Sequence, residues 1–231
     1  IAKLAPVFAR VGWEPKEGEA DPVKILRTEL IGTLGNLGDP AVLKEAQRRF
    51  DAQGKDPKAM PPALRRTILG VVARNADAAT WDRLHAMAKA EKTPLVKDQL
   101  YTLLSIGRDK ALAQKTLDLA LTDEPGATNS ASMISVVSSQ HPELAFDFAV
   151  AHKAEVDKKV DSSASSRYYP QLASRSLNPA MVGKVKAYAE KYLAAGSRRD
   201  ADTAVANIEY RIKVKNERMP AIDAWLKQHG G

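Results

Sequence analysis

At 231 residues the chain is long enough to bury a sizeable core and exceeds the usual size of one compact helical bundle. Hydrophobic residues at 44% and charged residues at 27% describe a folded globular composition, and no apolar run approaches the roughly 20 residues of a membrane span, which excludes a membrane as partner. The formal charge of +7 and pI near 9.5 come from basic residues interleaved with acids along most of the chain, the pattern of solvated helix faces rather than of a clustered nucleic-acid patch.

Apolar residues at spacings of three and four, broken by turn chemistry, dominate from the N-terminal part onward. Val23, Leu26, Leu30 and Leu34 form a first stripe that ends at Gly35-Asn36-Leu37-Gly38, where glycines can take the left-handed conformation that closes a helix. Asp39-Pro40 starts the next helix, with Asp as cap and Pro at the first helical position, and Val42, Leu43, Ala46 and Phe50 give its buried face. Pro61-Pro62 precedes Leu64, Ile68, Val71 and Val72; Asp77 precedes Trp81, Leu84 and Ala88. Thr93-Pro94 opens Val96, Leu100, Leu103 and Leu104, closed by Gly107, after which Asp109 caps Leu112, Thr116, Leu117 and Leu121.

Beyond the polar break at Asp123-Glu124-Pro125-Gly126, the spacing predicts helices at Met133 to Val137, at His141-Pro142 leading into Leu144, Phe148 and Ala149, and at Tyr168 to Leu172. Asn178-Pro179 opens a longer one through Met181, Val185, Tyr188 and Tyr192 to Gly196. Ala201, Val205, Ile208 and Ile212, then Ile222, Trp225 and Leu226 after Pro220, finish the chain. No stretch sustains β alternation. The expectation is an all-α fold, a HEAT- or armadillo-like superhelix of antiparallel helix pairs, with residues 1–231 as a single helical-repeat domain.

Catalytic chemistry is missing. Zero cysteines remove disulfides and thiolate ligands and leave the compartment open. Of four histidines, His85, His141, His152 and His229, none has a second at the i+3 or i+4 spacing that sets two ligands on one helix turn, so no metal site is expected. His85 reads as a packed or surface side chain, and His141, before a Pro, as a capping position. The serine run at 162–166 has no G-x-S-x-G elbow, Gly35 and Gly38 follow a helix rather than a strand, and Glu17 and Glu19 read as carboxylates of a solvated polar loop. Trp81, Trp225, Phe50 and Tyr188 fall on helix stripes and read as core. Arg167-Tyr168-Tyr169 departs from that pattern: a guanidinium beside two phenols suits a peptide carboxylate or backbone, and Arg167 and Tyr168 are the candidate contacts of a substrate cavity. With no catalytic group of its own, the domain acts through what its surface holds, and a free-standing scaffold for protein partners is the alternative.

The segment from Val11 to Phe50, with Gly12-Trp13, Glu17-Gly18-Glu19, Asp21, Leu26-Arg27 and then LGNLGDPAVLKEAQRRF, resembles the start of the C-terminal helical domain of gluzincin zinc aminopeptidases of the puromycin-sensitive, endoplasmic-reticulum and aminopeptidase N type. Further likeness lies in Pro62, Leu64 and Arg65, in the stretch from Ser166-Arg167 to Val185, and in the closing helices ending at Trp225-Leu226. Phe146 stands where that family has Trp, and His152-Lys153 where an Asn-Trp pair is common. The resemblance implies a non-catalytic domain covering the catalytic domain of the same polypeptide and enclosing a peptide-binding cavity, with zinc held upstream. Beginning at Ile1 without Met or the basic start of a signal peptide, the chain reads as a fragment of such a larger protein.

Overall fold

The computed structural model describes residues 1–56 and 58–229, and among these every regular element is helical. In chain order they are α1 (Ala5–Val11), α2 (Asp21–Leu37), α3 (Pro40–Ala52), α4 (Pro62–Arg74), α5 (Ala78–Ala90), α6 (Pro94–Leu104), α7 (Lys110–Leu121), α8 (Ala127–Val137), α9 (Pro142–Ala151), α10 (Lys153–Asp157), α11 (Ser165–Ala173), α12 (Ala180–Tyr192), α13 (Arg199–Lys213) and α14 (Met219–Gln228). Short 3-10 turns precede α11 and α13, and a π-helical segment, Val214–Arg218, joins α13 to α14. The fold class is all-α, as the periodicity requires.

Local chemistry places many of the starts. The Asp39 carboxylate accepts from the Val42 N–H at 3.0 Å, Asp77 from Thr80 at 2.8 Å and Asp109 from Leu112 at 2.9 Å, each satisfying a donor that the first helical turn leaves free. Proline occupies the first turns of α2, α3, α4, α6 and α9, where its missing N–H costs nothing. Gly38, at φ +78°, is the left-handed residue that ends α2. Two expected stops shift. α6 closes at Ser105 ahead of Gly107, and α12 ends with an extended Leu193 ahead of Gly196.

The chain divides into two compact units, Ile1–Leu112 and Ala113–Gly231. In the first, α2 and α3 pack on α4, and α5 packs on α6. Gly35 is helical rather than a stop, and its role is close approach: a Cβ built there would lie 2.5 and 2.7 Å from the two Val71 methyls. The buried face of α2 is turned from the expected stripe, since Leu26 is exposed and Arg27 takes its place in the core beside Leu30, Ile31 and Leu34.

Arg27 is 2% exposed and fully answered. Nη1 and Nη2 donate to the two Glu19 carboxylate oxygens, both at 2.6 Å; Nε donates to the Gly12 carbonyl at 2.9 Å and Nη2 to that of Val11 at 3.2 Å. Glu19 is therefore a buried ion-pair partner with a side chain 6% exposed, not the solvated carboxylate its polar surroundings suggest, whereas Glu17 is exposed. The hydrogen bonds from Arg27 hold the Glu19 carboxyl below its ordinary range. Arg49, also buried, bonds Glu14 at 2.5 Å, Glu45 at 2.8 Å and the Ala59 carbonyl at 3.3 Å, and its guanidinium lies 4.9 Å from the Trp13 ring centre. These two arginines tie the segment between α1 and α2 onto the helices.

In the second unit α11 packs on α9 and α13, and α12 packs on α13, around Met133, Ile134, Phe146, Tyr169, Leu172, Val185, Tyr188 and Ile208. Phe146 lies edge-on to Tyr188 at 6.0 Å, so the residue that departs from the family's Trp is core. Trp225 does not join it: with Met219, Ile222 and Leu226 it is exposed on α14, none of whose residues is buried.

Gly35→Ala is expected to destabilise the chain by about 1–3 kcal/mol through overpacking against Val71, and Gly35→Ala with Val71→Ala to recover part of that loss in a double-mutant cycle read by urea unfolding. Because the Glu19 carboxyl is depressed in the folded state, its stabilisation is complete above the unfolded carboxylate range and drains away as pH falls through the folded value. Urea midpoints should therefore drop on acidification below about pH 4.5, and Glu19→Gln should give a lower but flatter profile.

Candidate functional site

The sequence candidates sit on α11, whose position is set by two phenols. Tyr168 donates from its hydroxyl to the Ala131 carbonyl of α8 at 2.8 Å, and burial drives its pKa far upward, keeping it a neutral donor. Tyr169 is buried, donates to the Asp157 carboxylate of α10 at 2.6 Å and stacks on Tyr188 of α12 at 5.1 Å between ring centres. Burial acts to raise the Asp157 carboxyl, yet hydrogen bonds from Lys153, at 2.5 Å, and from Tyr169 outweigh it and hold the group below the usual aspartate range. Lys153, standing in the position noted against the family pattern, thus lies 4.9 Å from the Tyr169 ring centre as part of this anchor.

With Tyr168 and Tyr169 engaged with neighbouring helices, the next face of α11 is free to carry Arg167 and Gln171, and the turn that ends the helix adds Ser174 and Arg175. Opposite it, α13 and the π segment present Asp200, Thr203, Asn207, Tyr210, Arg211, Val214 and Lys215. Between them lie two adjoining open depressions of about 310 and 830 Å³ that share Gln171, Ser174 and Asn207. Arg167 and Asp200 stand at the smaller; Arg175, Arg211 and Lys215 line the larger, with Leu177, Tyr210, Val214 and Met219 as its apolar part. Arg167 is thus brought into a cleft, while the Tyr168 hydroxyl is spent on the carbonyl that fixes α11.

This lining offers charge-assisted donors and amides, which hold carboxylates and peptide groups, and pairs no nucleophile with a histidine base. Among the described residues no group of three His, Asp or Glu side chains could hold a metal ion. The histidines are scattered: His85 packs on Trp81 at 5.1 Å, His152 on Phe148 at 4.6 Å and His229 on Trp225 at 4.4 Å, and His141 stands at the start of α9. Sequence reading found Arg167 through its aromatic neighbours. It passed over Gln171, Arg175, Asn207, Arg211 and Lys215, because polar residues at helical spacing mark any solvated face and only packing shows which two faces meet.

Residues 2–210 match the family described as ERAP1-like C-terminal domain. Among similar proteins are Aminopeptidase M1-A of Oryza sativa subsp. japonica, 23% identical over 229 residues covering 97% of this chain and 25% of that protein. Aminopeptidase M1-B of the same plant is 26% identical over 207 residues, 84% of this chain and 24% of the relative. Aminopeptidase M1 of Arabidopsis thaliana is 29% identical over 142 residues, 59% of this chain and 16% of the relative. The chain thus spans about a quarter, or less, of the length of the relatives it matches.

Tyr168→Phe should cost about 0.5–1.5 kcal/mol, the net worth of one part-buried intramolecular hydrogen bond, whereas Arg167→Ala, at an exposed position, should stay within about 0.5 kcal/mol of the parent; paired urea denaturations separate the two roles.

Proposed function

This chain belongs to the ERAP1-like C-terminal domain family, and from that membership we propose that it is the non-catalytic C-terminal domain of a zinc-dependent aminopeptidase, covering the catalytic domain and enclosing the cavity in which peptides lie. The observation that carries the reading is the family match over residues 2–210, together with relatives named as aminopeptidases that are about four times as long or longer. The partner is then the catalytic domain of the same polypeptide, and the ligand is the peptide substrate.

In this reading the domain performs no bond-breaking step. Zinc would be held by the catalytic domain, where it would polarise the scissile carbonyl and activate water; among the described residues of this chain no group of three His, Asp or Glu side chains could hold the ion. What the domain contributes is exclusion and holding. A cover keeps bulk water from the reacting centre and restricts entry to extended chains, and cations on its surface grip the substrate away from the scissile bond. Arg167 is the proposed peptide contact. Tyr168 serves it by anchoring α11 through the Ala131 carbonyl.

In the full-length enzyme, Arg167→Ala should weaken long peptides about tenfold, the worth of one charge-assisted hydrogen bond, and leave a single-residue chromogenic substrate nearly unchanged; equal losses on both would remove Arg167 from the peptide path. The chain by itself should not cleave aminoacyl-p-nitroanilides, and zinc found at one ion per purified chain would sink the domain assignment.

A further inference from the structure

The cleft of the second unit has a charge pattern that goes beyond a generic cover. α11 contributes Arg167 and Gln171, four residues apart on one helix face, and the turn that ends it contributes Ser174 and Arg175. α13 and its π continuation contribute Asp200, Thr203, Asn207, Tyr210, Arg211, Val214 and Lys215, again one face followed over four turns. The two faces line one trough, with Gln171, Ser174 and Asn207 at the join between its depressions. From Asp200 to Lys215 the helical rise corresponds to about 22 Å, the span of roughly six or seven residues of extended peptide.

Four cations line this trough, Arg167, Arg175, Arg211 and Lys215, against a single carboxylate, Asp200 at one end. None of the four takes part in an ion pair among the described residues, in contrast with Arg27, Arg49 and Arg83, each held by a carboxylate. Asp202, Glu209 and Glu217 lie on the same helical stretch but outside the lining. The larger depression, which carries Arg175, Arg211 and Lys215, also holds apolar side chains: Leu177 is 45% exposed, Tyr210 67% and Met219 46%, a clustered exposure of the kind that marks a binding surface. Gln171 and Asn207, in the lining of both depressions, each offer an amide donor and acceptor to peptide groups.

Resting on the peptide-holding reading above, we infer that this trough selects extended peptide segments bearing several Asp or Glu side chains next to one large apolar residue. The acidic side chains pair with Arg167, Arg175, Arg211 and Lys215, the guanidiniums in forked two-bond geometry. The apolar residue seats against Leu177, Tyr210, Val214 and Met219. Single-stranded nucleic acid is a poorer match, because Tyr210 is the one aromatic ring of the lining and successive bases need successive rings. A peptide satisfies both the cations and the apolar side chains of the trough; a phosphodiester chain satisfies only the cations.

The test uses this chain and fluorescein-labelled heptapeptides with amidated C-termini, followed by anisotropy. One carries four Glu and a Leu, a second has Gln for each Glu, and a third repeats the Gln sequence with a free C-terminal carboxylate. The Glu peptide should bind at least about tenfold more tightly than its Gln counterpart, and its affinity should fall as salt is raised from 0.05 to about 0.3 M. Arg175→Gln with Arg211→Gln should abolish that difference, while Lys3→Gln, an exposed cation of the other unit, should leave it intact; far-ultraviolet circular dichroism checks that both variants are folded. Equal binding of Glu and Gln peptides would overturn the acidic selection and leave the peptide-holding role standing. Binding restored only by the free carboxylate would also overturn it, moving recognition to the peptide terminus. Binding of no peptide would overturn it too, with the long-peptide effect of Arg167→Ala in the full-length enzyme then deciding the parent reading by itself. An RNA 12-mer that binds as tightly as the Glu peptide would reassign the trough to polyanions at large.

Discussion

A guanidinium placed in a protein interior must be met by acceptors on nearly every N–H, because removing a charge from water costs several kcal/mol that attraction alone seldom returns. Arg27 imposes that condition on the first unit. Its donors reach both oxygens of Glu19 and the carbonyls of Gly12 and Val11, so the turn after α1, the loop that follows and the first helix of the core are one hydrogen-bonded object. Arg49 repeats the arrangement one helix later, stacked on Trp13 and bonded to Glu14 and Glu45. The residues that made the N-terminal segment recognisable, Gly12-Trp13, Glu19 and Arg27, are therefore not a scattered signature. They are one buried cation, Arg27, with its acceptors, and the ring that a second buried cation, Arg49, faces.

The second unit solves a related problem with phenols. Tyr168 and Tyr169 are consecutive on α11 and point to different helices, one to the Ala131 carbonyl and one to Asp157. A helix pinned on two sides by neutral donors has little freedom to roll, and the face left over, carrying Arg167 and Gln171 with Ser174 and Arg175 in the turn just past it, is held toward α13. Stability and function occupy adjacent residues here. The two hydrogen-bonded phenols carry the position of the helix, and the exposed guanidinium beside them carries the proposed contact with peptide.

On the proposed reading, that division is how a domain serves a hydrolase by holding the substrate rather than by chemistry of its own. Specificity for long substrates needs only groups that are rigidly placed and left unpaired until a ligand arrives. Cations committed to internal ion pairs, such as Arg27 and Arg49, are unavailable for that task. Those of the α11 and α13 trough remain uncommitted, and the π segment after α13 carries Val214 and Lys215 onto the same lining.

Helix identity, most starts and the all-α class follow from the chain alone, because a cap such as Asp39 or Asp109 acts within three residues and an apolar period reports a buried face without reference to what covers it. Stops were less legible: Gly35 and Gly107 share the residue type of Gly38, but only Gly38 adopts the left-handed conformation that ends a helix. Burial of the Arg27 and Glu19 side chains and exposure of Leu26 and Trp225 could not be read from periodicity, since polarity predicts the opposite and the acceptors that bury Arg27 lie 8 to 16 positions away. Arg167 was visible as a residue beside two tyrosines. Its cleft was not, because a groove belongs to two helices at once, and which polar face of α13 meets α11 is settled by how their opposite, apolar faces pack.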